Sequence, residues 1–381
     1  MRKTFKYRAD IDYETENNVK RWLSECCFVY NYMLDKRKRD KISRYDTINL
    51  LPDLKKRFEE LKIVNSQVLQ NVCERLDEAY KLFFLRFKNK ANKAGFPRFR
   101  GRDRYDSFTL KQTGYTLVGS KLYIKNIGVF NLKMHRQLQG DIKTITILRS
   151  KTGKYNVCFS CDNVPEKKLL KTNNSVGIDL GLTKILADSN GNKAVNPKYF
   201  KRSQDLLAYR QQKLSKCVKG SNNRAKARLL VAKAYEKIHN QRMDFIHKIT
   251  RKYINDYDII CLEDLKTNNM IYHKKDKDKI NLNKHILDSA WSKILEIFKY
   301  KAEEAGRKII LVNPRNTSKM CSKCKKIVEK TLHDRMHICP YCGLVIDRDI
   351  NAAINILWLG TSLDQYCESN VEQKPTCFSS G

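Results

Sequence analysis

The chain has 381 residues, and its 76 Lys and Arg against 41 Asp and Glu give a formal net charge of +35. This length predicts two or three domains. Self-repulsion of this size is best relieved by a polyanion, so nucleic acid is the expected partner, with Lys and Arg at phosphates and aromatic residues stacked on bases. The alternative, a solvated surface that serves only solubility, is disfavoured because the acidic residues are too few to balance the charge.

Membrane insertion, secretion and a disulfide framework are all disfavoured. No apolar run reaches the roughly 18 residues that span a bilayer, and the first residues, MRKTFKYRAD, lack the apolar core of a signal peptide. We therefore expect a cytoplasmic protein, in the cytosol or nucleoid of a prokaryote. The 13 cysteines are odd in number, and such a compartment keeps thiols reduced.

The N-terminal half predicts strands that flank a helical segment. Residues 3–13 alternate as in a strand, and residues 14–92 show apolar residues at helical spacing. Residues 107–165 contain short alternating segments, so they and the first strand are expected to form one antiparallel barrel or sheet, with the helices as an insertion. The loop at residues 88–104 is basic and broken by Gly and Pro, and it is predicted to bind phosphates.

The C-terminal half predicts an α/β domain that begins after a polar boundary at residues 166–174. Its elements are expected in this order: a strand at 175–180, a hairpin turn at 189–191, a basic helical region at 203–253, a strand at 257–262, a helix at 287–305, a strand at 308–312 and a helix at 349–359. Residues 361–381 show no periodic pattern and are expected to form a flexible tail.

Three acidic residues stand where predicted core elements begin or end. Asp179 ends the apolar segment SVGID, Glu263 ends YDIICLE, and Asp349 opens DINAAINI. A buried carboxylate needs a partner, and divalent cations prefer such hard oxygen ligands. The set predicts a metal-dependent site for phosphodiester cleavage, although each acid alone also fits a helix cap or an ion pair with a lysine. Asp264 and Asp347 are further candidates by composition.

A four-cysteine motif is the most specific pattern in the chain. Its spacing is C-x2-C-x14-C-x2-C, formed by Cys321, Cys324, Cys339 and Cys342. Two such knuckles present four thiolates to Zn²⁺ as a closed site, which is structural and not catalytic. His333 and His337 are surplus to these ligands and are expected at the surface. We predict a zinc ribbon whose folding depends on the metal.

In these motifs the chain resembles the TnpB family of transposon-encoded RNA-guided DNA endonucleases, which are related to the compact type V CRISPR effectors. The resemblance covers nearly the full length and rests on GIDLG, LEDL, NTSKMCSKC…CPYCG and DRDINAAINI in this order. A zinc ribbon directly before the third acidic segment makes the combination specific. RWLSECCFVYNYML, SQVLQNVCERLDEAYKLFF and GFPRFRGRDRYDSF resemble the N-terminal region of the family.

The resemblance implies an α+β multidomain fold, in which a β-barrel with an inserted helical lobe precedes an RNase H-like (RuvC) α/β domain with an inserted zinc ribbon. Its implied parts are a wedge β-barrel at 1–13 and 105–165, a helical recognition lobe at 14–104, a RuvC-like nuclease domain at 172–315 and 347–360, a zinc ribbon that loads target nucleic acid at 316–346, and the tail.

The resemblance also implies a function. The protein would bind a guide RNA, recognise a short motif that flanks its double-stranded DNA target, and cleave the DNA by hydrolysis at one RuvC-type site with two Mg²⁺ ions. The catalytic ligands would be Asp179, Glu263 and Asp349, since the family pattern favours the acid directly before Ile-Asn over Asp347. Nucleic-acid contacts are expected from Gln70, Asn71, Arg98, Arg100 and Arg102. We expect a monomer on its RNA.

Other functions remain open at this point. A transposase that transfers DNA strands could use the same acidic triad, although the sequence shows no obvious helix-turn-helix for binding transposon ends. A nuclease-inactive, RNA-guided repressor would need no triad, yet all three acids are present. An RNA-binding or RNA-processing protein would explain the charge and the ribbon but not the buried acids. The sequence does not distinguish a transposon-encoded from a CRISPR-associated effector.

Overall fold

A computed structural model describes residues 1–89, 95–101, 104–270, 277–331 and 334–372. The chain divides into two compact units, Met1–Pro165 and Glu166–Gly381, and each is described by itself. The division falls at the predicted boundary, residues 166–174. None of the described helices combines the length and apolarity that crossing a membrane requires.

The first unit consists of a sheet and a helical segment inserted after its first strand. Its elements are β1 Lys3–Asp10, α1 Tyr13–Asp40, α2 Arg44–Asn49, α3 Leu51–Arg57, a 3-10 helix Glu59–Ile63, α4 Ser66–Lys88, β2 Ser107–Leu110, β3 Tyr115–Val118, β4 Lys121–Ile124, β5 Gly128–Lys133, β6 Asp141–Arg149 and β7 Tyr155–Asp162. Strand β1 pairs antiparallel with both β5 and β7. This pairing confirms that the first strand joins the later strands and that the helices are an insertion.

The sheet of the first unit is open. The expected barrel is therefore wrong, because the hydrogen bonds between the described strands do not close the sheet into a ring. Its seven strands follow the order β2-β6-β7-β1-β5-β4-β3. The edge strands β2 and β3 have four residues each and do not pair with each other among the described strands. In a closed barrel the two edge strands pair with each other. The short described strands β2 and β3 form no such pair.

Helices α1 and α4 supply the apolar side chains that cover this sheet. Trp22 of α1 is buried and lies 5.4 Å, centroid to centroid, from the ring of Phe108 in β2. On α4, Val68, Val72 and Leu76 are buried at helical spacing. These periodic positions are therefore core residues, as predicted, whereas Phe84 and Phe87 near the C-terminal end of α4 are exposed.

The second unit combines a larger sheet, several helices and a small two-stranded sheet. Its elements are β8 Ser175–Asp179, β9 Lys184–Asp188, β10 Lys193–Val195, α5 Tyr199–Arg202, α6 Gln204–Lys216, α7 Asn222–Asp256, β11 Ile259–Glu263, α8 Thr267–Met270, α9 Lys277–Ser289, α10 Trp291–Ala305, β12 Lys308–Val312, β13 Met336–Ile338, β14 Val345–Asp347 and α11 Arg348–Glu372. The larger sheet has the order β10-β9-β8-β11-β12. Strands β8, β11 and β12 are parallel, and β9 and β10 continue the sheet antiparallel.

Three predicted boundaries of the second unit need correction. The basic helical region is two helices, because Ser221 caps a new helix by accepting a hydrogen bond from the backbone N–H of Arg224. The next predicted helix begins only at Trp291, after Ala290 in the left-handed conformation. The last helix continues to Glu372, into the expected tail, because intrahelical hydrogen bonds do not require an apolar period; the hydroxyl of Thr361 there donates to the carbonyl of Leu357. Residues 373–381 lie outside the described residues.

The two faces of the five-stranded sheet contact different helices. Ile260 and Leu262 of β11 belong to a core that includes residues of α7 and α10. Cys261, which lies between them, packs in a separate cluster with Ile356 of α11. Because successive side chains of a strand point to opposite faces, α11 covers one face and α7 and α10 cover the other.

Helix α11 lies unusually close to the backbone of β8. A Cβ atom added at Gly177 would stand 2.1 Å from the carbonyl oxygen of Ala353 and 2.6 Å from the backbone nitrogen of Leu357. Gly360 of α11 lies similarly close to β11, since a Cβ atom added at Gly360 would lie 2.3 Å from the Sγ atom of Cys261. Only residues without a side chain permit this packing, so the two glycines fix the distance between α11 and the sheet.

We predict that Gly177→Ala destabilises the second unit by about 2 kcal/mol or more, because the new methyl group overlaps the backbone of α11. Gly95→Ala is the matched control, since nothing lies within 4 Å of the position of its added Cβ. Thermal unfolding of both variants beside the wild type measures the difference. Equal stability of the two variants would contradict the close packing of α11.

Candidate active site

The first two acids of the predicted triad stand side by side at the ends of parallel strands. Ile178 of β8 pairs with Leu262 of β11, so the next residue of each strand, Asp179 and Glu263, follows in register. Asp179 is two residues from Gly177, and Glu263 is two residues from Cys261. Both carboxylates therefore belong to the face of the sheet that α11 covers.

The third acid lies in the first turn of α11. Asp349 is half-buried, and its Oδ1 atom is 3.4 Å from Nε of Arg348. Asp347 has a different position: its Oδ1 accepts hydrogen bonds from the backbone N–H groups of Asp349 and Ile350, and its Oδ2 lies 2.6 Å from Nζ of Lys193. Asp347 is thus the N-cap of α11 and an ion-pair partner, which supports the choice of Asp349 for the triad.

The electrostatics of the three acids test whether they fit a site for a divalent cation. Burial and the nearby carboxylates of Glu263 and Asp349 raise the pKa of Asp179 to about 8, well above the ordinary value for aspartate. Burial also raises the pKa of Glu263, although a hydrogen bond from Thr317 opposes the rise. Clustered carboxylates of this kind are stable as anions when a divalent cation binds them, so the residues fit a Mg²⁺ site.

Glu263 also has a side-chain partner that the sequence did not predict. The hydroxyl group of Thr317 donates a hydrogen bond of 2.5 Å to Oε1 of Glu263, and both residues are buried. Asn355 of α11 in turn donates to the carbonyl oxygen of Thr317 at 3.0 Å. The only signal in the sequence was the placement of Thr317 in NTSKMC, four residues before the first cysteine.

The four cysteines of the motif converge on one point. Their Sγ atoms all lie within 4.8 Å of one another, and the Cys321–Cys342 and Cys324–Cys339 sulfur pairs are each 3.6 Å apart. Sulfurs bound tetrahedrally at about 2.3 Å from one zinc ion would be separated by about 3.8 Å, while a disulfide would bring them to about 2.05 Å. The side chains therefore fit Zn²⁺ and not disulfides.

Both halves of the cysteine cluster have the same backbone geometry. In the first, the N–H of Lys325 donates to the carbonyl of Cys321, and in the second, the N–H of Gly343 donates to that of Cys339. Lys325 and Gly343 both have positive φ angles, 62° and 70°. A glycine suits this left-handed position, and Lys325 adopts it without that advantage.

The expectation for His337 is wrong. Its side chain is fully buried in β13, where Nδ1 is hydrogen-bonded with Nζ of Lys330. Its Nε2 atom has no hydrogen-bond partner among the described residues. Burial, followed by the nearby Lys330 cation, lowers the pKa of His337. The imidazole therefore belongs to the small core of the ribbon, and His333 lies outside the described residues.

The candidate nucleic-acid contacts lie in the first unit. Gln70 is exposed on α4, whereas Asn71 is half-buried and donates to Glu74. Arg98 is exposed. Arg100 is held locally, because its guanidinium lies 4.7 Å from the ring centroid of Tyr30 and its backbone N–H donates to Asn31. Arg102 lies outside the described residues, and the roles of all five stay predictions.

Comparison with known proteins identifies the family. The chain is 30% identical over 377 residues to a protein of Streptomyces pristinaespiralis named "Putative RNA-guided DNA endonuclease", with 94% of this chain and 90% of that protein covered. The chain belongs to the TnpB family. It is also 29% identical to "Putative RNA-guided DNA endonuclease InsQ" of Escherichia coli K12 over 376 residues, which cover 93% of this chain and 92% of that one.

Three family models match parts of this TnpB-family chain. They are a probable transposase at residues 158–273, the TNB domain of Cas12f1-like proteins at 291–356, and a helix-turn-helix domain at 1–40. The third description does not fit the geometry, because residues 1–40 form strand β1 and the single helix α1.

A solved structure supports the fold of this TnpB-family chain. The structure is a "Cas12f1-sgRNA-target DNA complex", whose protein matches with a TM-score of 0.55 and covers 93% of this chain and 98% of that one. At 14% sequence identity, the likeness concerns the fold alone.

We predict that Cys339→Ser removes zinc from the purified protein, because three thiolates and a hydroxyl bind the ion far more weakly than four thiolates. Elemental analysis should give about one zinc ion per chain for the wild type and a small fraction of that for the variant. Cys217→Ser, which changes a half-buried cysteine outside the cluster, should keep its zinc. Equal zinc in Cys339→Ser and the wild type would contradict the assignment.

Proposed function

We propose that this protein is an RNA-guided DNA endonuclease that hydrolyses target DNA at a RuvC-type site formed by Asp179, Glu263 and Asp349. The observation that carries the proposal is the convergence of these three acids, from β8, β11 and α11, in a chain with a net charge of +35. Neither a repressor nor an RNA-binding protein requires a cluster of carboxylates in which the pKa of Asp179 is raised to about 8. Full-length relatives named as endonucleases support the same activity.

The three carboxylates would hold two Mg²⁺ ions. When bound, the ions supply an activated water and stabilise the oxygen that leaves the phosphodiester. Asp179 and Glu263 provide ligands from rigid parallel strands, and Asp349 provides one from the helix above them. Arg348, which lies beside Asp349, adds positive charge where a phosphate must approach carboxylates. The TnpB-family chain thus contributes a fixed set of oxygen ligands and the positively charged side chain of Arg348 beside them.

Basic and aromatic side chains on exposed surfaces would bind the guide RNA and the DNA. In the helical pair α6–α7, Tyr209 and Tyr235 are exposed, and Nζ of Lys213 lies 4.7 Å from the ring centroid of Tyr209. Lys226 and Lys233 are exposed on α7. Lys and Arg neutralise phosphates and aromatic rings stack on bases without regard to sequence, while pairing with the guide selects the target.

The domains would divide the work as the family resemblance implies. The sheet at residues 1–13 and 105–165 would be the wedge domain and residues 14–104 the recognition lobe, which together bind the guide–target duplex and read a short flanking motif. The ribbon at 316–346 would load target DNA into the nuclease domain. The protein would act in the cytoplasm, as a monomer on its RNA.

A transposase is the less favoured alternative. One partial match carries that description, "Probable transposase", over residues 158–273. Two relatives that each align over more than 90% of this chain are named as RNA-guided endonucleases. Over residues 1–40, the strand and single helix also offer no helix-turn-helix for binding transposon ends.

We predict that Asp179→Ala and Glu263→Gln each reduce target-specific cleavage at least about a hundredfold, since each removes a ligand worth several kcal/mol in the transition state. The protein is purified with its co-expressed RNA, that RNA is sequenced, and cleavage of a matching DNA duplex is measured with Mg²⁺. Target binding should persist in both variants, because the guide and the basic surfaces are unchanged.

Asp264→Asn is the matched control. Asp264 follows Glu263 directly but is exposed on the loop after β11, so its loss should leave cleavage within about twofold of the wild type. If Asp264→Asn abolishes cleavage and Glu263→Gln does not, the ligand assignment is wrong. Tight target binding by the wild type without any cleavage would identify a repressor instead.

A further inference from the structure

The environment of Glu263 contains a group that the proposed mechanism does not use. Thr317 is 2% exposed and Glu263 is 7% exposed, and the threonine hydroxyl donates to Oε1 of the carboxylate at 2.5 Å. The carbonyl oxygen of Pro314 also lies within 3.2 Å of this hydroxyl. The hydroxyl has one proton, and the shorter distance directs that proton to Glu263.

Thr317 is itself held by the helix that carries Asp349. Nδ2 of Asn355 donates to the carbonyl of Thr317 at 3.0 Å and to the carbonyl of Met320 at 2.6 Å. One turn earlier, Nδ2 of Asn351 donates to the same Met320 carbonyl at 2.7 Å. Both asparagines are fully buried, so these hydrogen bonds are made away from competing water.

The side chains of Asn351 and Asn355 also form hydrogen bonds with the zinc ribbon. Oδ1 of Asn351 accepts a hydrogen bond of 2.9 Å from the backbone N–H of Ser322, which lies between the first two cysteines of the cluster. Oδ1 of Asn355 lies 3.4 Å from Nζ of Lys325, directly after the second cysteine. The two asparagines are four residues apart and therefore share one face of α11. That face contacts the first knuckle of the ribbon, which is formed by residues 321–325.

We propose that Thr317 is a positioning residue for Glu263, and that the first knuckle of the ribbon, held by Asn351 and Asn355, fixes Thr317 relative to Asp349. A run of hydrogen bonds then connects Glu263 with the helix that carries Asp349. The ribbon would then help to hold the nuclease site in shape, in addition to any contact that it makes with DNA. The inference rests on the proposed function, because it assigns a role to a neighbour of the same carboxylates.

The physical reason is that a carboxylate ligand with one fixed oxygen presents the other in one direction. Without the hydroxyl, Glu263 can rotate about its terminal torsion, which has a broad energy minimum. Its metal site then loses pre-organisation, while the fold keeps its packing because valine has the shape of threonine. Groups that orient metal ligands typically change metal affinity or activity about 10–100-fold when removed.

The test compares Thr317→Val, which removes only the hydroxyl, with Thr317→Ser, which keeps it. Thr361→Val is the matched control for the exchange itself, since the hydroxyl of Thr361 bonds only to carbonyls of its own helix in the described structure. All proteins are full-length and purified with their RNA. Free Mn²⁺ is measured by electron paramagnetic resonance, and the sites lost in Asp179→Ala define the carboxylate site.

We expect Thr317→Val to weaken Mn²⁺ binding at this site about tenfold and to raise the Mn²⁺ concentration for half-maximal cleavage by a similar factor. Thr317→Ser and Thr361→Val should stay within about twofold of the wild type in both measurements. If Thr317→Val binds Mn²⁺ as the wild type does, Thr317 has no positioning role. A loss shared equally by Thr317→Val and Thr317→Ser would also overturn the proposal, because the hydroxyl would not be the cause.

The connection to the ribbon is tested by combining Thr317→Val with Cys339→Ser. If the ribbon acts on Glu263 through Thr317, Cys339→Ser weakens Mn²⁺ binding in the wild-type background but has little further effect after Thr317→Val. Additive losses would show that the ribbon acts by another route. A wild type that binds Mn²⁺ at the Asp179-dependent site but cuts no matching DNA contradicts the nuclease function alone, because the Mn²⁺ measurements still decide the role of Thr317.

Discussion

The site depends on one constraint, the close approach of three carboxylates where a parallel pair of strands meets a helix packed directly on their backbone. Gly177 lets α11 approach β8 until an added Cβ would stand 2.1 Å from the carbonyl of Ala353. The same approach brings the first turn of α11, with Asp349, near Asp179. Repulsion between these carboxylates would be relieved by a divalent cation, so the packing that stabilises the second unit also brings together the residues proposed as metal ligands.

The ribbon and the nuclease site are less separate than their sequence motifs suggest. The ribbon begins after β12 and returns to the sheet through β14 and α11, so its residues lie in the chain between the strand that carries Glu263 and the helix that carries Asp349. Buried hydrogen bonds from Asn351 and Asn355 make that proximity specific. A zinc site that contributes folding free energy to the ribbon would thereby also hold the loop that contains Thr317.

The sequence predicted those features that depend on local pattern. Strand ends at Asp179 and Glu263, the cysteine spacing and the division at residues 166–174 all follow from periodicity or motif. The partner of Glu263 did not, because Thr317 lies 54 residues away in the chain and hydroxyls occur in many loops. The burial of His337 and the open sheet of the first unit were missed for the same reason: they depend on tertiary packing and strand pairing, to which composition gives no guide.

RNA, and not the protein, is proposed to select the DNA that is cut. The most direct measurement replaces the target-pairing segment of the co-purified RNA with a new sequence and maps cleavage on DNA that carries both the old and the new target beside the same flanking motif. Guide-directed selection predicts that cleavage moves to the new target and disappears from the old one. Cleavage that stays at the old target, or occurs equally at both, would contradict it.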